Sequence, residues 1–181
     1  MRLTILLIPF LSFLLFGCVD VKIKSEIPKK TYYDLDIGEL EDQSCVTSKS
    51  IGLLGINSLS FFDNKNIIKK DSDGKTTLIE NILWVDNPKE MLKNILLKNA
   101  LRKCIELENG TLKKQEKFLA LNLIFLGFHD QSSLVEIAYK ITNEKLQTIK
   151  MGTIRKQKNG TEIKDLQQLI QEATNEILSF F

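Results

Sequence analysis

The chain has 181 residues, 43% hydrophobic and 27% charged, with 25 Lys and Arg against 23 Asp and Glu for a formal net charge of +2. So even a balance, with no basic block or arginine stripe, argues against nucleic acid as a partner. The apolar fraction is that of an ordinary globular protein, and the length suits one domain with a real core.

The N-terminus reads as a removable leader. Met1-Arg2 gives a short positive start, Leu3 to Phe16 is almost wholly apolar, and Gly17 precedes Cys18. This is the layout of a secretory signal, and Leu15-Phe16-Gly17-Cys18 resembles the bacterial lipobox. In that class of signal the small Gly17 lets the peptidase close on the bond before Cys18, whose thiol carries a diacylglycerol thioether (palmitate being the usual kind of chain). An uncleaved anchor would need about 20 apolar residues to cross roughly 30 Å of hydrocarbon. Residues 3–16 are too few, and Pro9 disfavours a packed helix. The expected organisation is a cleaved signal peptide at 1–17, a lipid-anchored tether at 18–30 and a single α+β domain at 31–181.

The tether, VDVKIKSEIPKK after Cys18, is polar and lacks a core-forming period. Residues 31–37 then read as a first strand, with Tyr33, Leu35 and Ile37 on one face. Residues 38–49 are polar, hold Cys45 and read as a loop. The apolar run 50–62 predicts a central strand, with Gly52 and Gly55 marking a close approach or a bulge. Asp71-Ser72-Asp73-Gly74 between Ile67–Lys70 and Thr76–Ile79 predicts a hairpin.

Asn87 as N-cap, Pro88 at the first helical position and Glu90 three residues after the cap predict a helix over 88–103. Its buried face would carry Met91, Leu92, Ile95, Leu96 and Ala100. After a turn at Asn109-Gly110, three antiparallel strands are expected at 118–128, 134–142 and 146–155. Asn159-Gly160 breaks the last of them. A final helix over 162–179 would bury Leu166, Leu169, Ile170, Ala173 and Ile177 at helical spacing. Strands, helix, strands, helix is the order of an α+β fold: an antiparallel β-sheet with two α-helices packed on one face.

With Cys18 assigned to lipid, Cys45 and Cys104 remain. They are either a bridge closing a loop of about sixty residues, worth roughly 4 kcal/mol in the chain-entropy model, or two separate buried thiols. Spacing leaves both open, because a bridge requires a Cα separation that sequence cannot show.

Catalytic chemistry has little support. His129 is the single histidine and falls in a predicted turn, with no Cys or His cluster to share a metal. No nucleophile elbow, phosphate loop or dinucleotide fingerprint is present. Asp71-Ser72-Asp73-Gly74 opens like a calcium loop, but Ile82 stands where the bidentate Glu is required. Asn109-Gly110-Thr111 and Asn159-Gly160-Thr161 match the glycosylation acceptor pattern and read as turns. Trp84 reads as a core anchor. The functional alternative is that Tyr32, Tyr33, Trp84 and Pro88 form an apolar groove or partner contact.

Taken in order, the lipobox, Tyr32-Tyr33-Asp34-Leu35, the apolar strand 51–59, the hairpin, Trp84, Pro88, the Met91-Leu92-x-x-Ile95-Leu96 helix, the meander and the amphipathic end resemble the ABC-type transport auxiliary lipoproteins. These accompany MCE-type phospholipid transport systems such as Mla and Pqi. The resemblance covers about 31–179. It implies a non-enzymatic lipoprotein without cofactor, facing the periplasm, and leaves oligomerisation open. Its partners would be an MCE-domain protein and the permease and ATPase of a lipid transporter. Cys45 and Cys104 lie outside the family pattern, so the resemblance is silent on a disulfide. Val19 after the lipidated cysteine, rather than Asp, favours the outer membrane over the inner. The rival reading is an outer-membrane assembly lipoprotein similar to the lipopolysaccharide-assembly factor.

Overall fold

The structure, a computed structural model, describes residues 28–36, 38, 44–46, 48–110 and 115–181; the leader, Cys18 and most of the tether lie outside these. Among the described residues, one sheet contains β1 Thr31–Tyr33, β2 Lys49–Ser58, β3 Asn66–Lys70, β4 Thr76–Trp84, β5 Ile105–Asn109, β6 Lys117–His129, β7 Ser132–Asn143 and β8 Thr148–Asn159. Two α-helices, α1 Pro88–Arg102 and α2 Ile163–Leu178, complete an α+β fold. No helix among the described residues is long and apolar enough to cross a membrane.

The sheet is built around β6. Along one side β7 pairs with it antiparallel over its full length, and β8 pairs antiparallel with β7. The other side is shared. β2 runs parallel to the first half of β6, with Gly52 opposite Phe118 and Ser58 opposite Leu123. β3 runs parallel to its end, with Ile68 opposite Gly127 and Lys70 opposite His129. β5 extends the sheet beyond β2, and β4 followed by β1 extends it beyond β3.

The expected all-antiparallel sheet is thus a mixed one. The three-strand meander and the β3–β4 hairpin are antiparallel, whereas β2–β5, β2–β6, β3–β6 and β1–β4 are parallel. β2 and β3 are joined through Ser60–Phe62 without reversing, so both run with β6, while β4 runs against them and α1 carries the chain from β4 across to β5, which runs with β2. β5 itself was not anticipated, because IELEN has too few apolar positions to announce a strand. The strand expected over 50–62 stops at Ser58, and Ser60–Phe62 forms a 3-10 turn. β1 ends at Tyr33, yet Leu35 beyond it is completely buried; Ile37 lies outside the described residues.

Both helices bury the faces their spacing predicted. Met91, Leu92, Ile95, Leu96 and Ala100 of α1, and Leu166, Leu169, Ile170, Ala173 and Ile177 of α2, are buried. They share a core with Leu119, Leu121 and Leu123 of β6 and Ile137 and Ile141 of β7. Each such Leu, Ile or Met side chain stabilises by roughly 1.5–3 kcal/mol relative to exposure. Asn87 caps α1 through its backbone carbonyl, which accepts from the N–H groups of Glu90 and Met91; its side chain makes no capping bond. Between the helices Asn99 is buried. Its Nδ2 donates to Gln171 Oε1 at 2.9 Å and Thr174 Oγ1 at 2.7 Å, and its Oδ1 accepts from Arg102 at 3.0 Å. Lys156 pairs with Glu176, and Lys158 with Asp165, both at 2.7 Å, tying β8 to α2.

Cys45 and Cys104 are joined in a disulfide, with Cα atoms 5.6 Å apart. Cys104 follows the last turn of α1 in the left-handed region, φ 54°, and its carbonyl accepts from the N–H of Lys49 at the start of β2. The bridge therefore pins the loop before β2 to the end of α1.

Candidate functional site: an apolar groove on the helix-free face

β2 leaves β6 after Leu123, and β3 joins it only at Gly127. Within that gap β6 has a bulge, its register to β7 shifting between Leu123 and Phe125. The 3-10 turn Ser60–Phe62 crosses the gap, and Phe62 packs edge-on against Phe125 at 6.4 Å, with Phe61 edge-on against Phe62 at the same distance. The fork thus creates a depression on the sheet face opposite the helices.

Strand alternation decides what lines it. Thr76, Lys70, His129 and Ser132 are opposed in one cross-strand row. Leu78, Ile68, Gly127, Leu134 and Gln157 form the next, and Phe125, Glu136 and Arg155 the third. Steps of two residues keep all three rows on one face. Gly127 is required here: a Cβ on it would lie 2.5 Å from the Ile68 carbonyl oxygen, so only glycine lets β3 come this close to β6.

The result is a groove of about 410 Å³, within the range of roughly 300–1,000 Å³ typical of ligand sites. Ile68, Phe62 and Leu134 form a buried floor, Leu59 and Phe61 are exposed at 56% and 41%, and Lys70, His129, Glu136 and Arg155 stand at the rim. Glu136 and Arg155 are opposite one another across β7 and β8, and among the described residues neither they nor Lys70 form an ion pair. His129 Nδ1 lies 3.3 Å from Asp130 Oδ2. No hydroxyl or thiol is hydrogen-bonded to His129 among the described residues, and no three of His, Cys, Asp and Glu gather there as metal ligands. The groove offers apolar contact framed by charge.

The residues singled out from sequence are elsewhere. Trp84 is completely buried in the core and Pro88 is buried at the start of α1, whereas Tyr32 and Tyr33 are exposed at 54% and 36%. Trp84 is therefore the core anchor and, completely buried, does not line an open groove. Cys18 lies outside the described residues. His129 ends β6 and stands on the groove rim, not in a free turn. The groove itself was not anticipated. Its only sequence traces were the adjacent Phe61-Phe62 and the Gly127 within an apolar run, neither of which says that β2 and β3 share one neighbour.

No family model matches the chain, and no curated protein matches it. Solved structures do. Protein XCC0632 from Xanthomonas campestris, of family DUF330, overlays 83% of this chain and 93% of its own at 12% identity with a TM-score of 0.70. A crystal structure titled only as an uncharacterized protein overlays 84% of this chain and 95% of its own, also at 12% identity, with a TM-score of 0.65. At such identities the likeness establishes a shared fold across almost the whole of those proteins.

Proposed function

We propose that the chain is a non-enzymatic lipoprotein, anchored through Cys18 and facing the periplasm, that serves as an accessory component of an ABC-type, MCE-linked lipid transport system. The observation that carries the location is the Cys45–Cys104 bridge joined to the lipobox-like Leu15–Cys18: disulfides persist in oxidising compartments. The accessory role rests on the family resemblance, and the groove supports it by offering an apolar, charge-rimmed surface with no activated nucleophile. Energy for transport would come from the partner ATPase, since this chain carries no phosphate loop.

The test is an affinity pull-down of the full lipidated chain from detergent-solubilised membranes, with co-purifying proteins identified. Recovery of an MCE-domain protein or its permease supports the proposal. An outer-membrane barrel in their place would replace it with the assembly-lipoprotein reading, and recovery of no partner would overturn it.

A further inference from the structure

We infer that the groove binds a single acyl chain bearing an anionic head. The chain would lie on Phe61, Phe62, Ile68 and Phe125, and the head would meet one of the two cations at the ends of that floor, Lys70 or Arg155. This deepens the transport-accessory reading and rests on it for where the amphiphile comes from.

The occupant follows from what the groove lacks as well as from what it holds. The backbone left unpaired here is the short Ile124–Leu126 stretch of β6 and the outer edge of β8. A peptide adding to either as a strand would extend the sheet in its plane and leave the apolar floor uncovered. Phe61 and Leu59 remain substantially exposed although both sit beside a buried aromatic floor, and an apolar chain would remove them from water. At the rim Lys70, on β3, and Arg155, on β8, bracket the floor from opposite sides and are free of ion-pair partners among the described residues. Only Glu136 opposes them in charge along the lining, His129 being next to Asp130. Two cations against one carboxylate leave the rim net positive, so a head with a carboxylate or a phosphate complements it and a neutral head does not.

The full-length lipidated chain, purified in mild detergent, is irradiated with a diazirine-tagged long-chain fatty acid, with a diazirine-tagged lysophosphatidic acid and with the methyl ester of the fatty acid. The labelled peptides are then mapped. Label from either acid should fall on the segments holding Phe61 and Phe125. It should drop roughly ten-fold in Phe61→Glu, which sets a carboxylate against the apolar floor, and comparably in Lys70→Glu with Arg155→Glu. Leu59→Glu, at a still more exposed position, repeats the first test. Met151→Glu, on the same sheet face outside the groove and 73% exposed, should label like the parent. Preference for the fatty acid would assign a carboxylate head and preference for the other acid a phosphate head; both support the inference. Equal labelling by the methyl ester, label mapping elsewhere, or indifference to both Phe61→Glu and Leu59→Glu would overturn it. An MCE partner in the pull-down without groove labelling removes this inference alone. Groove labelling without that partner removes the transport reading alone.

Discussion

The disulfide gives the sharpest quantitative test of how this fold is held. It links residues separated by 59 in sequence, and closing a loop of that size in the unfolded chain stabilises the native state by about 4 kcal/mol in the entropic account. Cys45→Ala removes the bridge at an exposed position and leaves Cys104 in place. For a domain of this size that loss should lower Tm by roughly 10 °C. The left-handed φ of 54° at Cys104 allows a second step. With the bridge gone that conformation is held by the end of α1 and the Lys49 N–H, so adding Cys104→Gly should restore about 1 kcal/mol, whereas adding Cys104→Ala should restore none. Thermal melts of the oxidised parent, the single variant and the two doubles measure all three quantities. A Cys45→Ala melt within about 2 °C of the parent would refute the reasoning, showing that the unfolded chain is already as constrained as the bridge makes it.

Gly127→Ala should destabilise by about 2–3 kcal/mol, because the clash is with the Ile68 backbone and cannot be relieved by a rotamer change; faster hydrogen exchange across β3 and β4 than across β7 and β8 would locate the damage. Asn99→Ala should cost about 2 kcal/mol in urea denaturation by taking from the Gln171 carboxamide oxygen and the buried Thr174 oxygen the N–H groups they accept, although the Thr174 hydroxyl still donates to the Ile170 carbonyl. Cys18→Ala should release the chain from the membrane pellet in cell fractionation, and its full retention there would contradict lipid anchoring.

Much of the fold was legible in the sequence where a period repeats along one element. Both helices and their buried stripes, the Asp73-Gly74 hairpin and the closing meander follow from spacing, turn chemistry and capping within a few consecutive residues. The bulge near Gly55 and the close approach at Gly52, where a Cβ would strike the Phe118 ring, were likewise signalled by glycine. Trp84, read first as a core anchor, is one.

The sequence by itself determined which residues face a core, because amphipathic periods are local and each element carries its own. The tertiary structure alone decided which strands become neighbours. Parallel pairing of β2 and β3 with β6 joins segments about sixty residues apart, Gly52 with Phe118 and Ile68 with Gly127, and no local pattern encodes such a partner. The groove arises from that choice: two strands divide one side of β6, leave a gap at Ile124–Leu126, and a 3-10 turn drops Phe61 and Phe62 across it. The choice between bridged and separate cysteines was settled in the same way. It depends on α1 returning Cys104 to within 5.6 Å of the Cys45 Cα, a distance set by packing.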